Sequence, residues 1–226
     1  MPSWFWWGLL ALPICALILP HLVIRLIGGG YYTIPSTSML PTLPVGSAFL
    51  ATPMSPKEMP ERGDIIVFRN PPQAGVDYVQ RVIGLPGDRV AMRGGVVWLN
   101  GEVLQRSELP NFETMARLGT GGSREHCEAN MAGLKCSFPQ WRETLPDGRS
   151  HAVLDLGTSR MDEFAEVEVP KGHFFALGDN RDNSVDSRFP KHGMIPLGTI
   201  QSRAWRFWLN FSDPIAHLDR FGSEVR

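Results

Sequence analysis

An apolar run at residues 4–27, WFWWGLLALPICALILPHLVIRLI, constrains this chain more than any other feature. A bilayer core takes about 20 apolar residues as a helix, so a run of this length reads as a membrane anchor over residues 1–28. Its only strongly polar members are His21 and Arg25. Trp4, Trp6 and Trp7 at one end and Tyr31 and Tyr32 beyond the other stand where amphipathic rings settle at headgroup level. Pro13 and Pro20 kink such a helix without preventing insertion. A cleaved secretory signal has a shorter apolar stretch with a basic residue ahead of it, so an uncleaved anchor is expected. Arg25 alone argues for a cytoplasmic C-terminal side.

The remainder has a different character. In 226 residues, 19 prolines and 23 glycines punctuate short apolar runs, which favours many short strands and turns, a mostly β chain. With 22 basic and 23 acidic residues in no obvious block, nothing electrostatic points to nucleic acid as a partner. Cys127 and Cys136 bound a Gly-containing loop that can close as a disulfide, which implies an oxidising compartment. Two free thiols are the alternative. A zinc site is a poorer reading, since His126 is the sole neighbouring ligand, and no metal or cofactor is expected.

After the anchor, GGGYYTIPSTSMLPTL leads from a glycine hinge into a segment that Pro35 and Pro41 bias toward extended geometry. In an extended segment Ser36 and Ser38 share one face and Thr37 takes the other. RGDIIVF (62–68) and VDYVQRVIGL (76–85) are strand candidates, and VVWLNGEVL (96–104) carries in Asn100-Gly101 a strong hairpin signal. The pattern then loosens into an expected inserted subdomain, residues 107–164, set within a core of 29–106 and 165–226. Strands resume with EVEVP, HFFALGDN, residues 198–202 and AWRFWLNF (204–211).

Chemistry concentrates in GDNRDNSVDSRF, residues 178–189, directly after an apolar strand. Taken alone it is a solvated loop rich in Asx turns. A calcium loop fails because Arg181 takes the third position from Asp179, and neither a phosphate loop nor a G-x-S-x-G elbow occurs anywhere in the chain. Asp186 and Arg188 are placed to form a local ion pair bracing Ser184 or Ser187.

IPSTSMLPTL, RGDIIVF, YVQRVIGLPGD and GDNRDNSVDSRF resemble, in that order, the four signature boxes of the bacterial type I signal peptidases, membrane-anchored serine proteases that remove signal peptides. The resemblance covers roughly residues 34–106 and 165–211. It implies coiled antiparallel sheets, with Ser38 as nucleophile. It also implies that the Ser38 backbone N–H and the Ser36 hydroxyl form the oxyanion hole, a donor pair of a kind worth ~2.7–4 kcal/mol per donor. Ser184 corresponds to the hydroxyl that holds the general base, Asp186 and Arg188 to the supporting pair, and Tyr78 and Arg81 to the flanks of the base. The implied partners are signal peptides cut after A-x-A-like sites and membrane lipid. The implied location is the inner membrane, with the catalytic domain on the periplasmic side, which agrees with the cysteine pair and overrides Arg25. Trp205, Phe207 and Trp208 are then candidates for membrane contact, against core packing.

At the place of the family's general-base lysine, this chain has Gln80. Strand alternation puts position 80 on the face of Tyr78 and Val82, the half-buried setting that lowers a lysine pKa from ~10.4 and frees an amine to accept the serine proton. An amide there can hydrogen-bond Ser38 but cannot take its proton. A positioned base contributes typically ~10²–10⁴-fold, so turnover is expected to be slow or undetectable. Lys191 and His192, just past the last box, are the titratable substitutes. Three readings follow: a peptidase whose lysine has been exchanged, a pseudo-peptidase that binds signal peptides or a partner protein, and an enzyme using another base. A purely structural anchored domain has no use for Ser36, Ser38, Ser184, Asp186 and Arg188 together.

Overall fold

The computed structural model describes residues 22, 25–26, 28–55, 58–69, 75–116, 127–130, 133–212 and 217–225. The expected anchor lies almost wholly outside them. Among the described residues no helix is long and apolar enough to cross a membrane.

The architecture is antiparallel β. Strands are numbered in chain order: β1 Gly30–Thr33, β2 Ser47–Pro53, β3 Ile65–Arg69, β4 Asp77–Gly84, β5 Arg89–Arg93, β6 Val96–Leu99, β7 Glu102–Val103, β8 Gln105–Ala116, β9 Cys127–Asn130, β10 Gly133–Thr144, β11 Ser150–Leu154, β12 Phe164–Glu168, β13 His173–Leu177, β14 Ile195–Pro196 and β15 Ile200–Asn210. The largest sheet has seven strands in the order β1-β2-β15-β3-β4-β13-β14. A second runs β12-β5-β6-β7. The third runs β11-β10-β8, with β9 also on β10.

Alternation along β4 decides what each face meets. Val82 and the half-buried Tyr78 pack with Ile66, Phe68, Phe174 and Ala176. Ile83, on the opposite face, joins Phe175 and Leu177 of β13 against Val90, Met92 and Val97 of the second sheet. Burying a side chain of this size is worth roughly 1.5–3 kcal/mol, so the two clusters hold β4 firmly between them. Gln80, in register with Ile66, lies on the first face and is 2% exposed. The Asn100-Gly101 turn joins β6 to β7 with φ of 55° and 86°, the left-handed pair a two-residue hairpin requires.

Several expectations need correction. Tyr31 and Tyr32 sit in β1, where Tyr32 stacks on Phe49 at 5.7 Å and accepts a hydrogen bond from Ser202. The two strands expected over 198–202 and 204–211 are one, β15, paired on both edges. Phe207 and Trp208 are buried in the core, so packing wins over membrane contact for both, while Trp205 is 44% exposed. In the segment that looked loose, the described residues form β8, β10 and β11. Its polarity reflects a sheet with one wet face rather than irregular backbone.

Candidate active site

The extended geometry expected for residues 36–38 is replaced by a turn, in which the Leu40 N–H donates to Thr37 O at 3.1 Å. The two serines nevertheless meet, with Ser36 Oγ 3.0 Å from Ser38 Oγ. Met39 and Leu43 are fully buried in the core beneath them, which pins the turn from below.

From above, residues 178–189 hold the same turn. The Asn180 N–H donates to Ser38 O at 3.0 Å, Asn180 Nδ2 to Thr37 O at 3.1 Å, and Asn183 Nδ2 to Thr37 Oγ1 at 2.7 Å. The asparagines that read as turn formers are clamps on the serine segment. Gly178 sets the closeness of the approach: a Cβ there would stand 2.6 Å from Ser38 O and closer still to Ser184 Oγ. Only a residue without a side chain fits between those two serines.

Gln80 reaches the same loop from β4. Its Nε2 donates to Val185 O at 2.7 Å, next to Ser184. Its Oε1 and Ser184 Oγ are both buried without a hydrogen-bond partner. The expected Gln80–Ser38 hydrogen bond is therefore not made. Tyr78 stacks on Phe68 and meets His192 edge-on at 4.8 Å. Burial shifts the His192 pKa down, opposed by Asp186, so the ring is held neutral on the face that carries Gln80. Lys191 is exposed.

Asp186 and Arg188 form the expected pair: Arg188 Nε and Nη2 donate to the two carboxylate oxygens at 2.8 Å each, both side chains fully buried. Asp186 also accepts the Gly178 N–H at 3.2 Å, so the pair braces the glycine. Ser187 Oγ accepts the Ala176 N–H at 3.1 Å, which ties the loop to β13.

Arg81 points away from Gln80 into a buried fork, donating from Nε and Nη2 to the Asp179 oxygens at 2.8 and 2.7 Å and from Nη1 to Gly63 O. Thr42 Oγ1 donates to the same carboxylate. Burial alone raises the Asp179 pKa, but the Arg81 charge and these hydrogen bonds bring it below the usual range. A second fork joins Arg181 to Glu143 of β10 at 3.0 and 2.6 Å, and it outweighs burial to hold Glu143 well below the usual carboxylate range. Leu154 N–H donates to Asp179 O, and Leu156 N–H to Asp182 Oδ2 at 2.6 Å.

Thr42, Asp179, Asn180, Asn183, Arg181 and Glu143 were given no role in the site from the sequence. The first five lie in or beside the boxes that were quoted. Glu143 carried no signal, because its partner is distant in sequence. Cys136 is buried, disulfide-bonded, and faces Cys127 in the β9–β10 register. Among the described residues no cluster of His, Cys, Asp or Glu could hold a metal.

A family model described as signal peptidase, peptidase S26, matches residues 4–208. Signal peptidase I of Pseudomonas aeruginosa is 30% identical over 213 residues, covering 84% of this chain and 68% of that protein. The Pseudomonas fluorescens signal peptidase I is 33% identical over 217 residues with the same coverage. That of Rickettsia felis is 36% identical over 158 residues, or 67% of this chain, which spans about half the length of that relative (52%).

Proposed function

We propose that this chain, which belongs to the signal peptidase family of serine peptidases, peptidase S26, is a signal peptidase I-type endopeptidase whose catalysis is impaired at Gln80. Ser38 is the nucleophile, and its N–H with the Ser36 hydroxyl forms the oxyanion hole. The observation that carries the reading is the convergence of the Ser36–Ser38 pair, Gly178, Ser184 and Gln80 around one loop, with an amide where a titratable group belongs. An amide donates to Val185 O as a lysine ammonium would, but it has no lone pair able to accept the Ser38 proton near neutral pH.

In this reading Ser184 and the Asp186–Arg188 pair position the base site, and Arg81 fixes β4 through Asp179. Signal peptides of exported preproteins with A-x-A-like sites are the substrates. A single N-terminal span holds the chain in the inner membrane, in contact with lipid, with the catalytic domain outside the cytoplasm. A Cys127–Cys136 disulfide suits that compartment.

The second reading, a binding protein that retains signal peptides uncut, fits an amide at position 80 that ties β4 to Val185 O and supplies no base. Incubation of the full chain with a preprotein separates the two. Under the impaired-enzyme reading Gln80→Lys processes the preprotein and the unaltered chain does so at least ~10²-fold more slowly. A Gln80→Lys variant that binds the signal peptide and leaves it intact supports the binding protein. Processing by the unaltered chain that disappears with His192→Ala would instead assign the base to His192.

A further inference from the structure

A cleft of about 710 Å³ opens on the side of the main sheet away from Gln80, between the tip of the β10–β11 hairpin, the start of β3, β15 and the C-terminal segment at Glu224. Its volume falls within the range of small-ligand sites. None of Ser36, Ser38, Gln80 or Ser184 lines it, whereas Arg81, whose side chain leaves β4 on the opposite face, does.

The charges on its walls do not balance. Asp64, Asp147 and Glu224 line the cleft together with Arg81 and Arg149. Arg81 is already neutralised by the bidentate bond to Asp179 and caps Gly63 O. Arg149 is shared among carboxylates, at 2.7 Å from Asp147, 3.2 Å from Glu61 and 3.9 Å from Asp64. Arg203 takes a further share of Asp64 at 3.4 Å, and Arg206 stands 3.8 Å from Glu224. Carboxylates therefore outnumber the guanidinium groups left to answer them.

A second observation points to a ligand. His151 lines the cleft with its side chain 1% exposed; Nε2 is turned to Glu143, and Nδ1 has no hydrogen-bond partner. Nε2 lies 3.4 Å from Glu143 Oε1, which favours the proton on that nitrogen and leaves Nδ1 an acceptor without a donor. Burial and the nearby Arg81 charge keep the ring neutral, in the accepting form. A buried acceptor left unmatched is a penalty that a donor on a bound molecule would relieve.

We propose that this cleft is a second ligand site, separate from the serine pair, that takes a guanidinium side chain presented on a peptide. A guanidinium offers five N–H donors in a planar fork, enough to meet the rim carboxylates and the imidazole together, which a compact ammonium meets less well. Ile65, Leu145 and Val225 contact the aliphatic stem.

The test uses the full chain in a neutral detergent, with methyl NMR signals of Ile65, Leu145 and Val225 followed during titration with acetyl-arginine methylamide. Acetyl-norleucine methylamide is the uncharged control. Saturable shifts of the three methyls with the arginine probe, weaker by roughly fivefold in Asp147→Asn/Glu224→Gln, support the site. Both substituted side chains are about 40% exposed, so the fold is not at stake. Equal response to both probes, no saturable shift, or an unchanged affinity in the double variant would overturn the proposal.

Discussion

At position 80 a buried amide uses one end and wastes the other. Nε2 bonds Val185 O, while Oε1 has no partner. An orphan of this kind costs about 1–3 kcal/mol, so the pocket does not hold a glutamine well. In Gln80→Lys the same burial disfavours the ammonium and lowers its pKa. Cleavage by that variant is accordingly expected to rise with pH and reach a plateau well below ~10.4, read from a pH–rate profile. The neighbouring residue, Arg81, serves stability. Asp179→Ala leaves its guanidinium buried and unpaired, and is expected to cost about 3–5 kcal/mol in urea unfolding. Asp179→Asn, which keeps an acceptor for Thr42 and Arg81, costs less.

Among elements, the loop 178–189 depends on close approach as much as on charge. Gly178→Ala forces a Cβ against Ser184 and Ser38 O, an overpacking worth about 1–3 kcal/mol, and it is expected to suppress cleavage in a Gln80→Lys background while thermal unfolding stays cooperative. Most of this element was legible. Box order, the Ser36–Ser38 pair and the Asp186–Arg188 pair could be read directly, because they depend on residues close in sequence. So could the face of Gln80, which strand alternation decides. What could not be read was the route by which β10 and β11 brace the loop: Glu143 grips Arg181 and Leu154 bonds Asp179, contacts that only the folded sheet brings together. Polar strands with one wet face also lack the apolar run by which buried strands are recognised, so the third sheet passed for loose sequence. Reducing the disulfide at Cys136 should lower the free energy of urea unfolding by roughly 2–3 kcal/mol.

For the whole molecule, buried charge sets the pH response. Asp179 and Glu143 have depressed pKa values in the fold, so their stabilisation is present above the unfolded carboxylate range and is lost as pH falls through the folded values. His151 and His192, both shifted below 6.5 by burial, add an earlier loss that begins as pH drops under 6.5, where the unfolded rings gain protons first. Urea midpoints from pH 8 to 3 should therefore fall in two stages. A midpoint flat between pH 7 and 5 would contradict the neutral, buried histidines. The membrane anchor was read from length and hydropathy alone, and detergent extraction of the full chain against a variant lacking residues 1–28 checks it: the full chain should need detergent and the shortened one should not. The central claim is that a single amide stands between an assembled serine site and peptide-bond cleavage. Its most direct test is single-turnover cleavage of a preprotein by Gln80→Lys and by Gln80→Lys/Ser38→Ala. The account predicts processing by the first and none by the second; failure of the first to cleave, or cleavage that survives loss of Ser38, would contradict it.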